Sequence, residues 1–131
     1  MFDMPPQGFD AVFTCPPYWK LEKYSSLGIE NSDSWFVFLS KLETVFANVY
    51  ASAPIGCKFC IMVGDWRSKG VFYDLSFALQ SWFYRWGATQ IDKVIVSRKT
   101  ISKIKVMLPQ AVANGYTVKV HEYLFVWEKR A

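Results

Sequence analysis

The residues best suited to chemistry lie just after a short apolar run near the N-terminus. Residues 9–14 are mostly apolar and predict a buried strand. The strand ends at the residues that follow it, Cys15, Pro16, Pro17 and Tyr18, because proline does not continue a strand. Two consecutive prolines fix the backbone and lack N–H donors, so the turn is rigid and its carbonyl oxygens remain available as acceptors. The aromatic ring that follows can stack on a flat ligand. Together these residues predict a clamp for the exocyclic amine of a nucleobase.

The three cysteines do not indicate a disulfide scaffold or a zinc site. Cys57 and Cys60 have the C-x-x-C spacing, but zinc requires a second pair of ligands and the sequence has one histidine, His121. Both cysteines stand at the start of an apolar strand pattern, where a spacing of three places them on opposite faces. We therefore interpret them as half-buried strand residues, and we predict no metal.

The elements that would position the clamp alternate between strands and helices. Strands are predicted over 9–14, 58–63, 90–97 and 117–127, and helices over 35–52 and 71–86. Residues 18–33 and 64–70 have loop composition, and 98–116 are ambiguous. This order predicts an α/β fold with a sheet of about four strands, mostly parallel with an antiparallel last strand, flanked by two main helices. Residues 14–18 and 64–67 follow strands and should meet at one sheet edge, where ligands collect.

Charge is unevenly distributed along the chain. Residues 1–92 hold 7 Lys/Arg and 9 Asp/Glu, whereas residues 93–131 hold 8 Lys/Arg and 2 Asp/Glu. The tightest basic cluster consists of Lys93, Arg98, Lys99, Lys103 and Lys105. Such a cluster suits a polyanion because Lys–phosphate and Arg–phosphate contacts release counterions. The alternative is a solvated face that keeps the protein soluble.

Targeting signals are missing from the sequence. No apolar run approaches the roughly 18 residues that span a membrane, and the first residues lack the basic and apolar regions of a signal peptide. We therefore expect a cytoplasmic protein without a membrane partner.

The clamp resembles a known motif. Thr14-Cys15-Pro16-Pro17-Tyr18 is similar to motif IV of the S-adenosylmethionine-dependent DNA amino-methyltransferases, which modify adenine N6 or cytosine N4. The version in phage and prophage modification methylases, which belong to DNA modification and restriction-modification systems, is the most similar. The resemblance runs from residue 9 to about residue 129, and its further matches, in order, are Leu21, Glu22, Tyr24, Ser25, 59–67, Tyr73 and 120–126.

The resemblance implies a mechanism. The target base is flipped out of the duplex, and its amino group donates hydrogen bonds to the side chain of Cys15 and the carbonyl of Pro16 while Tyr18 stacks on the ring. Methyl transfer is a direct displacement, so positioning does most of the work. Cys15 stands where the family has Asp, Asn or Ser, so the choice between adenine and cytosine stays open. Its thiol is a less favoured candidate nucleophile, because in cytosine C5 enzymes the cysteine follows a proline.

The resemblance also suggests binding residues. Asp3 and Thr14 are the candidate contacts of the cofactor S-adenosyl-L-methionine. The candidate contacts of DNA are Trp19, Tyr24, Arg98, Lys99, Lys103 and Lys105. Trp19 and Tyr24 could instead pack under the loop that follows them. Asp65 and Arg67 could line the cleft or form a local ion pair, and His121 is interpreted as structural.

Part of the expected fold is missing. The seven glycines lie too far apart to form the Gly-rich loop that holds the cofactor in this family. Residues 1–131 therefore resemble a single domain, the C-terminal, catalytic-motif half of a Rossmann-like methyltransferase fold. Strand 10–14 would be central in a complete fold but is an edge here, so we predict self-association or a cofactor-binding partner chain at that strand. Alone, the chain should be inactive and bind S-adenosylmethionine weakly.

Two other functions remain open on the sequence. The chain could be a nucleic-acid-binding remnant of a methyltransferase without activity. It could also methylate RNA or a protein glutamine, because enzymes of those classes share the Pro-Pro-aromatic clamp. The basic segment favours a nucleic acid over a protein.

Overall fold

The computed structural model of the chain describes residues 8–21, 23–97 and 101–131. Its strands and helices are β1 (Ala11–Thr14), α1 (Trp35–Ser52), β2 (Lys58–Val63), β3 (Trp66–Ser68), β4 (Val71–Tyr73), α2 (Leu75–Arg85), β5 (Thr89–Ser97), α3 (Ile101–Asn114) and β6 (His121–Glu128). A 3-10 turn over Ile29–Asn31 precedes α1. Across the described ranges, no helix combines the length and apolar character needed to cross a bilayer.

Four strands form one sheet in the order β1-β2-β6-β5. β1 pairs with β2 in parallel, and β6 runs antiparallel to both β2 and β5. β1, β2 and β5 therefore share one direction, and the predicted mixed sheet with an antiparallel last strand is confirmed. Because β6 is reversed, its first residues lie at the same edge as the carboxyl ends of the parallel strands.

Both well-packed helices cover one face of this sheet. α1 begins after Ser34, whose side chain accepts a hydrogen bond from the backbone N–H of Val37, and α2 begins after Asp74, which caps Phe77 in the same way. The apolar positions of the two helices recur every three or four residues, so each helix presents one apolar side to the sheet. The side chains that form the core between helices and sheet are Phe38, Leu42, Phe46, Leu79, Phe83, Phe59, Ile61, Phe125 and Trp127.

The opposite face of the sheet is less deeply buried among the described residues. Strand alternation sends Phe13, Cys60, Met62, Leu124 and Val94 to this side. Cys60, Met62 and Leu124 are half-buried, whereas Phe13 is 70% exposed. The predicted exposure of strand 10–14 as a sheet edge is confirmed by the position of β1 in the strand order.

The segment predicted as a loop and the start of a helix forms a hairpin. β3 and β4 pair antiparallel through Lys69 and Gly70, which have φ of 49° and 79°. Two successive residues with positive φ give the tight turn that matches the twist of paired strands. Residues 71–73 therefore extend the hairpin, and α2 begins at Leu75 rather than at the predicted residue 71.

The ambiguous segment 98–116 contains a helix. α3 spans Ile101–Asn114 with Pro109 inside it, and β6 begins four residues later than the predicted position of 117. Pro109 lacks a backbone N–H and so leaves one helical hydrogen bond unmade, which made the segment hard to assign from the sequence.

Candidate functional site

The Pro-Pro turn lies at the carboxyl edge of the sheet, as its position after β1 predicts. Cys15 is exposed, Pro16 is buried and Pro17 is half-buried. β1 and β2 are parallel neighbours, so the turn stands beside the residues that follow Val63. Thr14, the last residue of β1, is half-buried at the free edge of the sheet.

Tyr18 joins the turn to two other segments through its hydroxyl. The hydroxyl accepts a hydrogen bond of 2.9 Å from the backbone N–H of Gly64, just after β2. It donates one of 3.0 Å to the Oε1 of Glu122, near the start of β6. A side chain at Gly64 would have its Cβ 3.0 Å from the Cγ of Glu122 and 3.4 Å from this hydroxyl, so the close approach favours glycine.

The surroundings of Tyr18 keep its hydroxyl protonated. Burial raises the pKa of Tyr18 above its ordinary value, and the Glu122 carboxylate raises it further through its charge and its hydrogen bond. The group is therefore a fixed hydrogen-bond donor and not a base. Glu122 is buried, and the sequence did not predict a role for it. A single acidic residue in an apolar strand is also typical of a strand at the edge of a sheet, so the sequence does not distinguish the two cases.

The ring of Tyr18 lies inside the protein. It is 8% exposed, and the ring of Trp66 meets its edge at a centroid distance of 5.1 Å. Little of the ring is therefore accessible to a base in this arrangement. Direct stacking of a base on Tyr18 stays a prediction, and it requires movement of the hairpin that carries Trp66.

Four half-buried aromatic residues pack beside the turn: Trp19, Trp35, Trp66 and Tyr73. Trp66 and Tyr73 face each other across the hairpin with centroids 5.6 Å apart, and Trp19 meets Tyr73 at 5.3 Å. Trp19 also donates a hydrogen bond of 2.7 Å from Nε1 to the carbonyl of Ser32. The packing alternative for Trp19 is thus present in the structure, while its predicted contact with DNA is a separate question.

A loop after the turn is held together by a buried carboxylate. Glu30 is 2% exposed, and its Oε1 accepts hydrogen bonds from the backbone N–H groups of Tyr24 (2.9 Å) and Ser25 (3.1 Å). The N–H of Ser25, then that of Glu30 itself and that of Tyr24, hold the pKa of Glu30 below its ordinary value. The loop presents the side chain of Tyr24 to solvent, with 68% of it exposed.

Asp65 and Arg67 do not form the ion pair that one interpretation expected. Asp65 accepts hydrogen bonds of 2.8 Å and 2.7 Å from the backbone N–H and hydroxyl of Ser76, near the start of α2. Burial raises the pKa of Asp65. Arg67 donates instead to the carbonyl of Gly70 within its own hairpin, and its guanidinium lies 4.3 Å from the centroid of the Tyr116 ring.

The surroundings of His121, Cys57 and Cys60 are those of structural residues. The Nε2 of His121 lies 3.2 Å from the hydroxyl of Tyr123, and the two rings meet edge to face. The prediction of a half-buried strand residue is wrong for Cys57, which is buried just before β2, where burial raises the pKa of its thiol. It is confirmed for Cys60, which is half-buried within β2. Within the described part of the chain, no three or more His, Cys, Asp or Glu residues gather as metal ligands would.

The remaining predicted site residues, or their side chains, lie outside the described part of the chain. Asp3, Arg98 and Lys99 lie outside the described residues. Lys103 and Lys105 belong to α3, but their side chains are also outside the description. The structure therefore assembles the turn, Tyr18, Trp19 and the loop of Tyr24 at one edge, and does not test the basic cluster.

The fold is similar to that of a larger solved protein. Three crystal structures of TTHA0409, a presumed DNA modification methylase from Thermus thermophilus, match 98% of this chain with a TM-score of 0.68. They are a selenomethionine derivative (22% identity), a complex with S-adenosyl-L-methionine (22%) and a further crystal structure (20%). The likeness establishes the α/β fold and confirms the predicted class.

The match covers only part of that protein. This chain spans about half the length of the matched structures: 48%, 51% and 49% of the three chains. No protein-family model and no curated protein matches the sequence.

Proposed function

We propose that this chain is the catalytic-motif half of a DNA amino-methyltransferase, which transfers a methyl group to N6 of adenine or N4 of cytosine. The observation that carries the proposal is the Pro-Pro turn, which lies at the carboxyl edge of the sheet and is tied to β2 and β6 through Tyr18. Two further findings support it: the fold is shared with a presumed DNA modification methylase, and that protein has been crystallised with S-adenosyl-L-methionine.

The turn supplies acceptors for an amino group. The carbonyl of Pro16, in a turn whose backbone the two prolines hold rigid, would accept a hydrogen bond from the amino group of the flipped base, and the exposed Cys15 thiol would accept a weaker one. Held in this way, the amino nitrogen directs its lone pair toward the methyl donor. Nitrogen would form its bond to the methyl carbon as the carbon–sulfur bond of the bound cofactor breaks and S-adenosylhomocysteine leaves, and nitrogen would then release a proton to solvent. Tyr18 acts in this proposal as the member of the clamp that fixes the turn, and also as the predicted stacking partner.

S-adenosyl-L-methionine would supply the electrophilic methyl group, and this chain fits that cofactor only in part. Thr14 lies at the free edge of β1 beside Cys15, where a hydroxyl could contact it, and Asp3 is the second candidate. The seven glycines of the sequence form no Gly-rich loop. We infer that the main cofactor-binding half must come from another segment or chain, and that the isolated chain is inactive and binds the cofactor weakly.

The proposed partner is DNA. Trp19 and Tyr24 lie close to the turn in sequence, and Tyr24 is well exposed. The candidate phosphate contacts are Arg98, Lys99, Lys103 and Lys105. We further propose that β1 pairs either with a second copy of this chain or with the chain that carries the cofactor half, because its outer backbone groups have no strand beside them in the described sheet.

A methyl-transfer assay tests the function. Unmethylated DNA is incubated with radiolabelled S-adenosyl-L-methionine and this chain, with and without a cofactor-binding half, and the digested product is analysed for N6-methyladenine and N4-methylcytosine. We expect label in DNA only when both halves are present. Pro16→Ala should abolish transfer because the turn loses its rigidity, whereas Pro54→Ala, at an exposed position outside the turn, should not.

Other results would identify the alternatives. Label in RNA or at a protein glutamine would show that the substrate is RNA or protein rather than DNA. Binding of DNA without any methyl transfer would indicate an inactive remnant of a methyltransferase. Calorimetry that gives micromolar affinity of the isolated chain for S-adenosyl-L-methionine would overturn the proposed division into halves.

A further inference from the structure

A cavity of about 280 Å³ lies between the segment after the Pro-Pro turn and the hairpin of β3 and β4. Its aromatic walls are Trp19, Trp66 and Tyr73. The volume is near the lower end of the roughly 300–1,000 Å³ found for small-molecule sites. We propose that this cavity binds one base of a single-stranded stretch of DNA, a base that neighbours the target base. The inference rests on the proposed function, because that function is what brings a DNA strand to the cavity.

The walls are aromatic rings held in place by their packing. Trp66 and Tyr73 lie at an interplanar angle of 28°, and Tyr73 meets Trp19 at 71°. The indole of Trp19 is held by its hydrogen bond to the carbonyl of Ser32. Rings that are already ordered lose little freedom on binding, and stacking on them suits any base, because every base has a π face.

Charge around the cavity favours a nucleotide over an uncharged apolar ligand. Two exposed lysines, Lys20 and Lys69, belong to its lining, and no acidic residue does among the described lining residues. Lys69 is the first residue of the tight hairpin turn, so the backbone fixes its position. Two cations beside aromatic rings match a planar base joined to phosphates, which is how proteins bind single strands.

The cavity is distinct from the clamp in what it would do. The clamp would offer hydrogen-bond acceptors to an amino group, whereas the cavity is lined by aromatic rings and cations. Stacking distinguishes bases weakly, so this subsite would hold the strand in place and contribute little to the choice of target. It would thereby fix the direction from which the strand approaches the turn.

A fluorescent single strand tests the proposal directly. A single-stranded oligodeoxynucleotide with one 2-aminopurine is titrated with the chain, since 2-aminopurine fluorescence falls when that base stacks. Val71 lines the cavity and is 52% exposed, so Val71→Glu introduces a negative charge there with little risk to folding. Val45→Glu is the matched control, because Val45 on α1 is 51% exposed and lies outside the cavity.

We expect the wild-type chain and Val45→Glu to quench the probe equally, and Val71→Glu to bind it at least about tenfold more weakly. Lys20→Ala and Lys69→Ala should each reduce the magnitude of the slope of log K against log[salt] by about 0.7 on this single-stranded probe, whereas Lys41→Ala on α1 should not. Equal quenching by Val71→Glu and wild type would overturn the subsite. An oligoribonucleotide that binds more tightly than the DNA probe would indicate that the subsite prefers RNA and would overturn the choice of DNA.

The outcome is separable from that of the proposed function. Pro16→Ala should lose methyl transfer and keep the quenching, because Pro16 does not line the cavity. If no methyl transfer occurs under any condition but quenching still depends on Val71 and Lys69, the subsite stands and the proposed function fails. If transfer occurs and Val71→Glu changes neither the KM for DNA nor the quenching, the subsite fails alone.

Discussion

At the scale of single residues, the hydroxyl of Tyr18 is the contact on which the candidate site depends. It links a turn at residue 18, the end of β2 at Gly64 and the start of β6 at Glu122, which are separated by 46 and 104 residues from the turn. A link between such distant segments exists only in the folded chain. Its loss should therefore be visible in stability and in the geometry of the turn.

Tyr18→Phe removes this hydroxyl and keeps the ring. We expect a loss of about 1–3 kcal/mol in the free energy of unfolding, because the buried Gly64 N–H and the Glu122 carboxylate both lose a partner. Urea denaturation measures it. Tyr84→Phe is the control, since the hydroxyl of Tyr84 donates to Gln90 at an exposed site and should contribute much less. Equal losses in the two variants would contradict the linking role.

The sequence predicts some residues of the site and not others. Cys15, Pro16 and Pro17 can be identified because two prolines after an apolar run have few structural explanations. Glu122 and Glu30 cannot, because a carboxylate in a sequence is normally solvated, and only the fold shows that each is buried and hydrogen-bonded. The burial of Tyr18 is likewise set by Trp66, which belongs to a hairpin that the sequence did not reveal.

At the scale of elements, residues 23–30 are organised by Glu30. Its pKa is lowered in the folded state, so its carboxylate stabilises the loop above its unfolded pKa, near the ordinary value of 4.5. This stabilisation is lost as the pH falls below 4.5 and through the lower folded value. The protection factors of the amides of Tyr24 and Ser25 against hydrogen exchange should therefore fall selectively in that pH range, relative to those of amides in β2.

Glu30→Gln should remove most of this pH dependence, because an amide does not titrate there and accepts weaker hydrogen bonds. Glu43→Gln is the control: Glu43 pairs with Arg85 at an exposed site on α1, away from the loop. Amides of Tyr24 and Ser25 that keep their acid sensitivity in Glu30→Gln would show that another group orders the loop.

Gly28→Ala should have the same effect on the loop without changing any charge. A Cβ at this position would overlap the Glu30 carboxylate, and the carboxylate cannot move without giving up the N–H groups of Tyr24 and Ser25. We expect faster exchange at both amides at neutral pH, as measured by NMR. Gly8→Ala, where a Cβ meets open space, should leave them unchanged.

The elements themselves were predicted with unequal success, for physical reasons. The bounds of α1 and β2 agree with the prediction because Phe38, Leu42 and Phe46 show the helical period and residues 58–63 form an unbroken apolar run. The hairpin was missed because its strands have three residues each and its turn, Lys69-Gly70, is a weak signal. Such short strands are stabilised by packing against Trp19 and Trp35, which no local pattern encodes.

At the scale of the whole molecule, the described residues form a packed core on only one face of the sheet. The core fills the face toward α1 and α2, while the other face carries half-buried apolar side chains and the exposed Phe13. β1 also has no neighbour on its outer side in the described sheet. The chain spans about half of the structures that share its fold, so both features match a surface that another half would cover.

We therefore expect the chain to associate through β1. Sedimentation should show a species heavier than the 15.2 kDa monomer, in a concentration-dependent way, or a stable complex with a cofactor-binding half. Phe13→Lys should shift either species to the monomer, because a charge on an edge strand opposes pairing. Phe36→Lys, at a phenylalanine of α1 that is 79% exposed, should leave association intact, since Phe36 does not belong to an edge strand. A wild-type chain that remains a monomer at all concentrations and binds no cofactor half would contradict association through β1. It would show that the edge strand is stable without a pairing partner.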